Sequence, residues 1–130
     1  MNRTEFVEQY TALAKQALAL AQKARREGLL ALESSLEKKN IEERDILEYG
    51  LFFVVDGTDG NLIAQILDNI INQEKDEYAR IIKTIQREAV LGIQQGDNPK
   101  VLFYKMNSLT DIPLKDDKAY AIITGNSQEG

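Results

Sequence analysis

The chain is predicted to be all-α: a bundle or hairpin of long helices, a short C-terminal helix and a partly irregular tail. Apolar residues recur at steps of three and four along most of the 130 residues, which is the period of an amphipathic helix. Breaks containing Gly, Asn or Lys separate these stripes, and the alternation typical of strands is weak before residue 119. The length suits one domain, which we assign to residues 1–112, followed by a tail over residues 113–130.

The first helix is predicted to run from Thr4, which can serve as its N-cap, to about Glu37. Its apolar stripe consists of Phe6, Tyr10, Leu13, Ala17, Leu20 and Ala24. Gly28 lies near the end of this helix, where a glycine costs about 1 kcal/mol relative to alanine. Either this glycine lets another backbone approach closely, or the stretch around it has a functional role.

A second helix is predicted after Lys38-Lys39-Asn40, with Asn40 as its N-cap and Glu43 completing a capping box. Its apolar residues are Ile46, Leu47, Leu51, Val54 and Val55. It is expected to end at Gly57, in a stretch with two nearby glycines that lacks the Lys-Ser/Thr ending of a phosphate-binding loop. We therefore interpret Gly57 as a helix end and Thr58 as the next N-cap.

The third apolar stripe begins at Leu62 and continues to Ile93, with an interruption by polar residues at 73–77. No Gly or Pro marks a break there, so the region is predicted as one helix of about 35 residues. Two helices joined near Glu74–Asp76 are the alternative. Gly96 is expected to end the helix in either case.

A short helix is predicted after Asn98-Pro99, because Asn suits the N-cap and Pro the first helical position. It should extend to about Leu109 and end before Pro113. The following tail is polar apart from Tyr120–Ile123, which could add a short strand or dock on the helices. The rest of the tail is expected to be mobile.

The core is predicted from the inner faces of these helices. Its expected members are Leu13, Leu20, Leu32, Leu51, Val54, Ile63, Ile66, Leu67, Ile70, Ile82 and Ile85. The segment 88–112 is also apolar, and exposing such side chains costs about 25 cal/mol per Å². We therefore expect it to pack against the helices of residues 4–72.

The composition limits the possible functions. Hydrophobic residues make up 43% and charged residues 28%, which is typical of a soluble protein, and the net charge of −5 argues against nucleic acid as a partner. The chain has no Cys and no His, so it lacks disulfides, thiolate nucleophiles, imidazole bases and zinc sites built from these residues. No apolar run approaches the ~18 residues of a membrane span, and no signal peptide is visible, so a cytoplasmic location without a membrane span is expected.

The acidic clusters do not predict an enzyme. Glu42–Asp45 and Asp116-Asp117 stand where helix-start and tail charges are common, and neither lies beside a base or a set of oxyanion donors. The loop pattern of a calcium-binding EF-hand is absent as well. We therefore expect no enzymatic activity, no cofactor and no metal site. Binding of Mg or Ca by carboxylates alone is the alternative that the sequence leaves open.

Two stretches resemble one family. KARREGLLALE (23–33), followed by VVDGTD (54–59), resembles the cytoplasmic loop of the flagellar stator A subunit, the MotA family. EAVLGIQQGDNPK (88–100) resembles the C-terminal cytoplasmic tail of the same family. In the family two transmembrane helices separate these segments, whereas here they are joined directly within residues 73–86, and the family's first two transmembrane helices have no counterpart. The resemblance covers roughly residues 10–112.

The resemblance implies a role in flagellar motility and chemotaxis, at the base of the motor. Family members work with a partner subunit to let ions cross the membrane, and a chain without spans would conduct none. The family also implies contact with the rotor switch protein FliG through a charged pair that matches Arg25 and Glu33. Their neighbours Lys23, Arg26 and Glu27 could share this partner-binding role.

On one continuous helix, Arg25 and Glu33 would lie about 12 Å apart. This exceeds the Debye length of ~8 Å at physiological salt, so each charge could meet its own opposite charge on a partner. The alternative is that both are ordinary solvated helix charges.

Three functional interpretations follow from the sequence. The first is a soluble, stator-like protein that binds the rotor switch. The second is a helical scaffold or homo-oligomeric accessory protein of the motor. The third is an engineered soluble fragment of a stator subunit.

Overall fold

Helices account for most of the described residues in the computed structural model, which describes residues 1–36 and 45–115. The elements are α1 (Arg3–Glu27), a 3-10 helix (Leu29–Ser35), α2 (Ile46–Val55), α3 (Gly60–Ile71), α4 (Glu77–Gln95) and α5 (Pro99–Asn107). No strand occurs in these two ranges, and the predicted all-α class is confirmed. Helix α4 lies at the centre and packs against α1, α2, α3 and α5.

The ends of α1 differ from the prediction. Its N-cap is Asn2 and not Thr4, because the Asn2 side chain accepts a hydrogen bond from the Glu5 amide at 2.8 Å. The Glu5 carboxylate in turn accepts from the Asn2 amide, which completes a capping box. The helix stops at Glu27, ten residues short of the predicted end by residue number. Gly28 causes this early end.

The predicted single long helix after Leu62 is wrong, because α3 and α4 are separate helices. Although no Gly or Pro lies between α3 and α4, carboxylate side chains accept backbone hydrogen bonds there and separate the two helices. The Asp76 carboxylate caps α4 by accepting from the Ala79 amide at 2.8 Å, and the Glu74 carboxylate accepts from the Asp76 amide at 3.0 Å. Lys83 of α4 forms an ion pair with Glu74 at 2.9 Å and so attaches the turn to α4.

Of three other predicted helix ends, two are confirmed and one is wrong. Gly96 ends α4 in the left-handed conformation, and Asn98 caps α5 with Pro99 in its first turn, as predicted. The N-cap of α3 is Asp59 and not Thr58, since the Asp59 carboxylate accepts from the Asn61 amide at 3.0 Å.

The second helix, α2, begins at Ile46. Asp45 is the N-cap of α2, whereas the predicted cap at Asn40 and its partner Glu43 lie outside the described residues. The patch Tyr120–Ile123 also lies outside them. Helix α5 ends at Asn107, before the predicted Leu109.

Most of the predicted core is buried. The confirmed members are Leu13, Leu32, Leu51, Val54, Ile63, Leu67, Ile82 and Ile85. Leu20, Ile66 and Ile70 are only half-buried. The prediction omitted several of the largest buried side chains, among them Phe6, Tyr10, Leu47 and Phe103.

The segment 88–112 packs against the N-terminal helices, as predicted. Both α4 and α5 contact α1. The Tyr10 hydroxyl donates to the Asn107 side-chain oxygen at 2.6 Å, and burial raises the pKa of this hydroxyl. Asn107 also exchanges two hydrogen bonds with the backbone of Leu114, whose side chain is buried. The packed structure therefore extends as far as Leu114, while the domain boundary at residue 113 stays a prediction.

Helices α2 and α4 approach each other closely at Gly50. A Cβ atom at this position would lie 2.6 Å from Val90 Cγ2 and 3.2 Å from Leu67 Cδ1. The absence of a side chain is what permits this contact. Among the described helices, none is both long enough and apolar enough to cross a membrane.

Candidate protein-interaction face

The five candidate residues lie in the last turns of α1 and in the 3-10 helix that follows. We call the surface formed by Lys23, Arg25, Arg26, Glu27 and Glu33 the charged face. Its geometry is determined by Gly28, which separates the two elements.

Gly28 is required for its backbone conformation. Its φ of +92° and ψ of 162° lie in a region that is essentially restricted to glycine. Apart from its chain neighbours, no heavy atom of the described residues lies within 4 Å of a Cβ built at this position, so the interpretation that the glycine permits close backbone approach is wrong. The Gly28 amide still donates to the Ala24 carbonyl at 2.8 Å, which closes the last turn of α1. The chain then changes direction and continues as a 3-10 helix.

The 3-10 helix presents different side chains on its different edges. Residues three apart eclipse each other in this geometry, so each edge carries every third residue. Leu29 is partly buried and Leu32 fully buried, so they form the inner edge. Leu30 and Glu33 form the outer edge, with Leu30 74% exposed. The expected placement of Arg25 and Glu33 on one continuous helix is therefore wrong.

Lys23 binds within the chain. Its ammonium group donates to the Ser35 hydroxyl at 2.9 Å and to the Ser34 hydroxyl at 3.2 Å. The Ser34 hydroxyl donates in turn to the Ala31 carbonyl at 3.0 Å. These bonds tie the 3-10 helix back onto α1, and Lys23 is only partly exposed.

Arg25 is exposed but also binds within the chain. Its Nη1 donates to the Gly96 carbonyl at 2.7 Å. This hydrogen bond joins the end of α1 to the C-cap of α4, across 71 positions of sequence. It directly links the two stretches, 23–33 and 88–100, that resemble the same family.

The remaining three charged residues point outward. Arg26, Glu27 and Glu33 are exposed, and they form no side-chain hydrogen bond or ion pair with another residue in ranges 1–36 and 45–115. They are available to a partner as they stand. Leu30, which the sequence reasoning did not single out, adds an apolar side chain beside Glu33. The sequence could have indicated that Leu30 is exposed beside Glu33 only through the three-residue period of a 3-10 helix. That period becomes relevant only once Gly28 is recognised as the end of α1.

The turn between α4 and α5, which Arg25 contacts, is attached to other parts of the bundle. The Gln94 side chain donates to the Thr58 carbonyl at 2.9 Å, which attaches the end of α4 to the turn before α3. Lys105 pairs with Asp97 at 2.7 Å, and this hydrogen bond raises the pKa of the Lys105 ammonium. The residues on both sides of Gly96 are thus attached to other parts of the bundle.

The described part of the chain has no group of three or more acidic side chains placed to hold a metal ion. Three of the acidic residues have a local structural role, since Asp45, Asp59 and Asp76 each cap a helix.

Two curated proteins are similar to this chain. Motility protein A of Treponema phagedenis is 37% identical over 78 residues, which cover 60% of this chain and 29% of that protein. Motility protein A of Treponema pallidum (strain Nichols) is 35% identical over 78 residues, with the same two coverages of 60% and 29%. No family model and no solved structure matches the chain. The chain thus aligns with less than a third of the length of these relatives, and the similarity supports a relationship to Motility protein A.

Proposed function

We propose that this chain is a stator-related protein of the flagellar motor that binds a FliG-like rotor switch protein through the charged face. The similarity to Motility protein A supports the assignment to the motor. The observation that carries the binding role is the outward placement of Arg26, Glu27 and Glu33 in a stretch that resembles the family's rotor-facing segment. In this proposal the protein acts in the cytoplasm, at the base of the motor.

The physical properties of the face suit a partner that moves. Exposed ion pairs contribute only ~0–1 kcal/mol each, and salt screens them. Such contacts guide association and choose orientation more than they hold a complex together. The exposed Leu30 supplies an apolar contact beside Glu33, which adds affinity that salt does not screen.

The proposed role is binding and not catalysis. The carboxylates of Asp45, Asp59 and Asp76 accept backbone hydrogen bonds at helix starts, which supports a structural use of these acids.

Self-association as a motor scaffold is a second candidate function, favoured by α5. Val101 and Tyr104 are 48% and 50% exposed, and their spacing of three residues places them on one side of this helix. Sedimentation of the parent and of the Val101→Ser, Tyr104→Ser double variant tests this candidate. A parent that stays monomeric at high concentration excludes it.

The rotor-binding proposal is tested by co-purification of the chain with a flagellar rotor switch protein. Glu33→Lys should weaken retention about fivefold at low salt, the equivalent of ~1 kcal/mol for one exposed charge contact. Glu8→Lys is the matched control, because Glu8 is an exposed residue of α1 far from Gly28 in sequence and undergoes the same charge change. Equal retention of both variants and the parent would contradict the proposal.

A further inference from the structure

We infer that Arg25 is a positioning residue: by binding the Gly96 carbonyl it fixes the end of α1 against the end of α4 and so orients the 3-10 helix that carries Glu33. The family resemblance suggests instead that this arginine meets a charge on the partner. The inferred effect on binding rests on the proposed function, whereas the effect on the 3-10 helix does not.

The first argument is the nature of the bond. A guanidinium N–H donates to a carbonyl oxygen at 2.7 Å, and hydrogen bonds with one ionised partner are stronger than neutral ones. The acceptor directly follows the last residue of α4, where the carbonyl end of the helix dipole favours a cation. Arg25 is thus drawn toward the end of α4 by hydrogen bonding and by the dipole.

The second argument is that the acceptor belongs to a well-held turn. The amides of Gly96 and Asp97 donate back to Ile93 and Gly92 at 3.1 and 2.9 Å, which closes the end of α4. Lys105 and Gln94 attach this turn to α5 and to the turn before α3. A side chain that binds the Gly96 carbonyl is therefore attached to the central helix of the bundle.

The third argument is the position of Arg25 relative to Gly28. The two residues are one helical turn apart, and a Cβ built at Gly28 would meet no heavy atom of the described residues within 4 Å apart from its chain neighbours. The path of the 3-10 helix therefore depends on contacts around the glycine. Lys23 supplies two of these contacts by binding Ser34 and Ser35, which follow the glycine. Arg25, which precedes the glycine, supplies another by binding the Gly96 carbonyl.

The neighbouring Arg26 provides a natural control. It carries the same charge in the same turn of α1, is exposed, and binds no other residue in the described ranges. Arg25→Ala and Arg26→Ala therefore remove the same charge from adjacent positions, and only the first removes a bond to α4. Arg25→Lys restores a cation that can donate to the same carbonyl.

The first experiment needs no partner. Hydrogen exchange by NMR should follow two amides at the ends of the 3-10 helix: Ala31, which donates to the Gly28 carbonyl, and Leu36, which donates to the Glu33 carbonyl, at 3.2 Å each. Arg25→Ala should speed their exchange about fivefold, the value expected for loss of ~1 kcal/mol of local stability. Arg26→Ala should leave the exchange rates unchanged, and Arg25→Lys should bring them back toward the parent. Equal rates in both alanine variants would overturn the inference.

The second experiment measures affinity for the rotor switch protein as salt is varied. A positioning residue predicts that Arg25→Ala lowers the affinity with an unchanged slope against salt, and that Arg25→Lys rescues it. A shallower slope for Arg25→Ala would show a direct charge contact and overturn the inference. If the parent itself does not bind, the proposed function fails, and the exchange rates alone decide whether Arg25 orients the 3-10 helix.

Discussion

At the scale of single residues, the structure separates charges that are alike in the sequence. Lys23, Arg25 and Arg26 are neighbouring cations, and nothing local distinguishes them. Their difference comes from acceptors elsewhere in the chain: the hydroxyls of Ser34 and Ser35 for Lys23, and the Gly96 carbonyl for Arg25. Sequence reasoning could therefore locate the charged face, but it could not tell which members bind internally.

Gly28 provides a residue-scale prediction. Its φ and ψ lie in a region that any side chain makes costly, so Gly28→Ala should lower the free energy of unfolding by about 1–3 kcal/mol. Asn should be equally costly there, because this region differs from the left-handed helical one that Asn tolerates. Gly96 does lie in that helical region, with φ 78° and ψ 28°, so Gly96→Asn should be mild by comparison.

Urea unfolding of the three variants checks this prediction. A Gly28→Ala variant more stable than the parent would contradict the structure. It would mean that α1 runs on through residue 28, where alanine is the better helix former.

At the scale of elements, the helix ends divide into two kinds. The ends at Gly96 and Asn98-Pro99 were predictable, because the residue types themselves dictate the backbone there. The break between α3 and α4 was not, since it depends on carboxylates at Glu74 and Asp76 that accept backbone hydrogen bonds. Acidic residues are common on exposed helix faces, so their presence alone does not reveal a cap.

This break should make the stability depend on acid pH. The hydrogen bond from Lys83 lowers the pKa of Glu74, and that from the Ala79 amide lowers the pKa of Asp76. A carboxyl group whose pKa is lowered by folding stabilises the fold at any pH above its ordinary pKa, which is 4.5 for Glu74 and 3.8 for Asp76. This stabilisation is lost as the pH falls from the ordinary pKa through the lowered one. The melting temperature of Glu74→Gln, Asp76→Asn should therefore fall less steeply below pH 4.5 than that of the parent.

Lys83→Met offers a second check on the same element. Removing the amine should return the pKa of Glu74 toward its ordinary value and remove part of the acid dependence. Identical pH profiles for the parent and both variants would show that the break is held by other contacts.

The contact between α2 and α4 provides another element-scale prediction. Gly50→Ala places a methyl group 2.6 Å from Val90 Cγ2, and overpacking of this kind costs about 1–3 kcal/mol. Val90→Ala creates space at the same place. In a double-mutant cycle, the two substitutions should therefore cost less together than the sum of their separate costs. Strictly additive unfolding free energies would contradict the close approach.

At the scale of the whole molecule, one arrangement matters most: the segment 88–112 is an integral part of the bundle. The sequence predicted this packing, because the segment is too apolar to remain in water. It did not predict that α4 would lie at the centre of the bundle, since that arrangement depends on side-chain fit between distant helices. The all-α class followed from apolar periodicity, whereas the exact partners of each helix did not.

Deleting residues 88–130 should therefore cause aggregation or a large fall in melting temperature. The deletion removes the buried side chains of Phe103 and Met106 and the bond between Tyr10 and Asn107. Tyr10→Phe is the mild comparison, because it removes only the hydroxyl and should cost ~1 kcal/mol. A soluble truncation with the parent's melting temperature would show that the C-terminal segment is an independent appendage.

The central claim is that the charged face binds a flagellar rotor switch protein. Its most direct test is a calorimetric binding titration at low salt that compares the parent with charge-reversal variants. The parent should bind, Glu33→Lys should bind about fivefold more weakly, and reversal of the opposing charge on the partner should restore much of the loss. Glu8→Lys should bind as the parent does. If the parent does not bind, or if Glu33→Lys binds equally well at low salt, the charged face is not a rotor-binding surface.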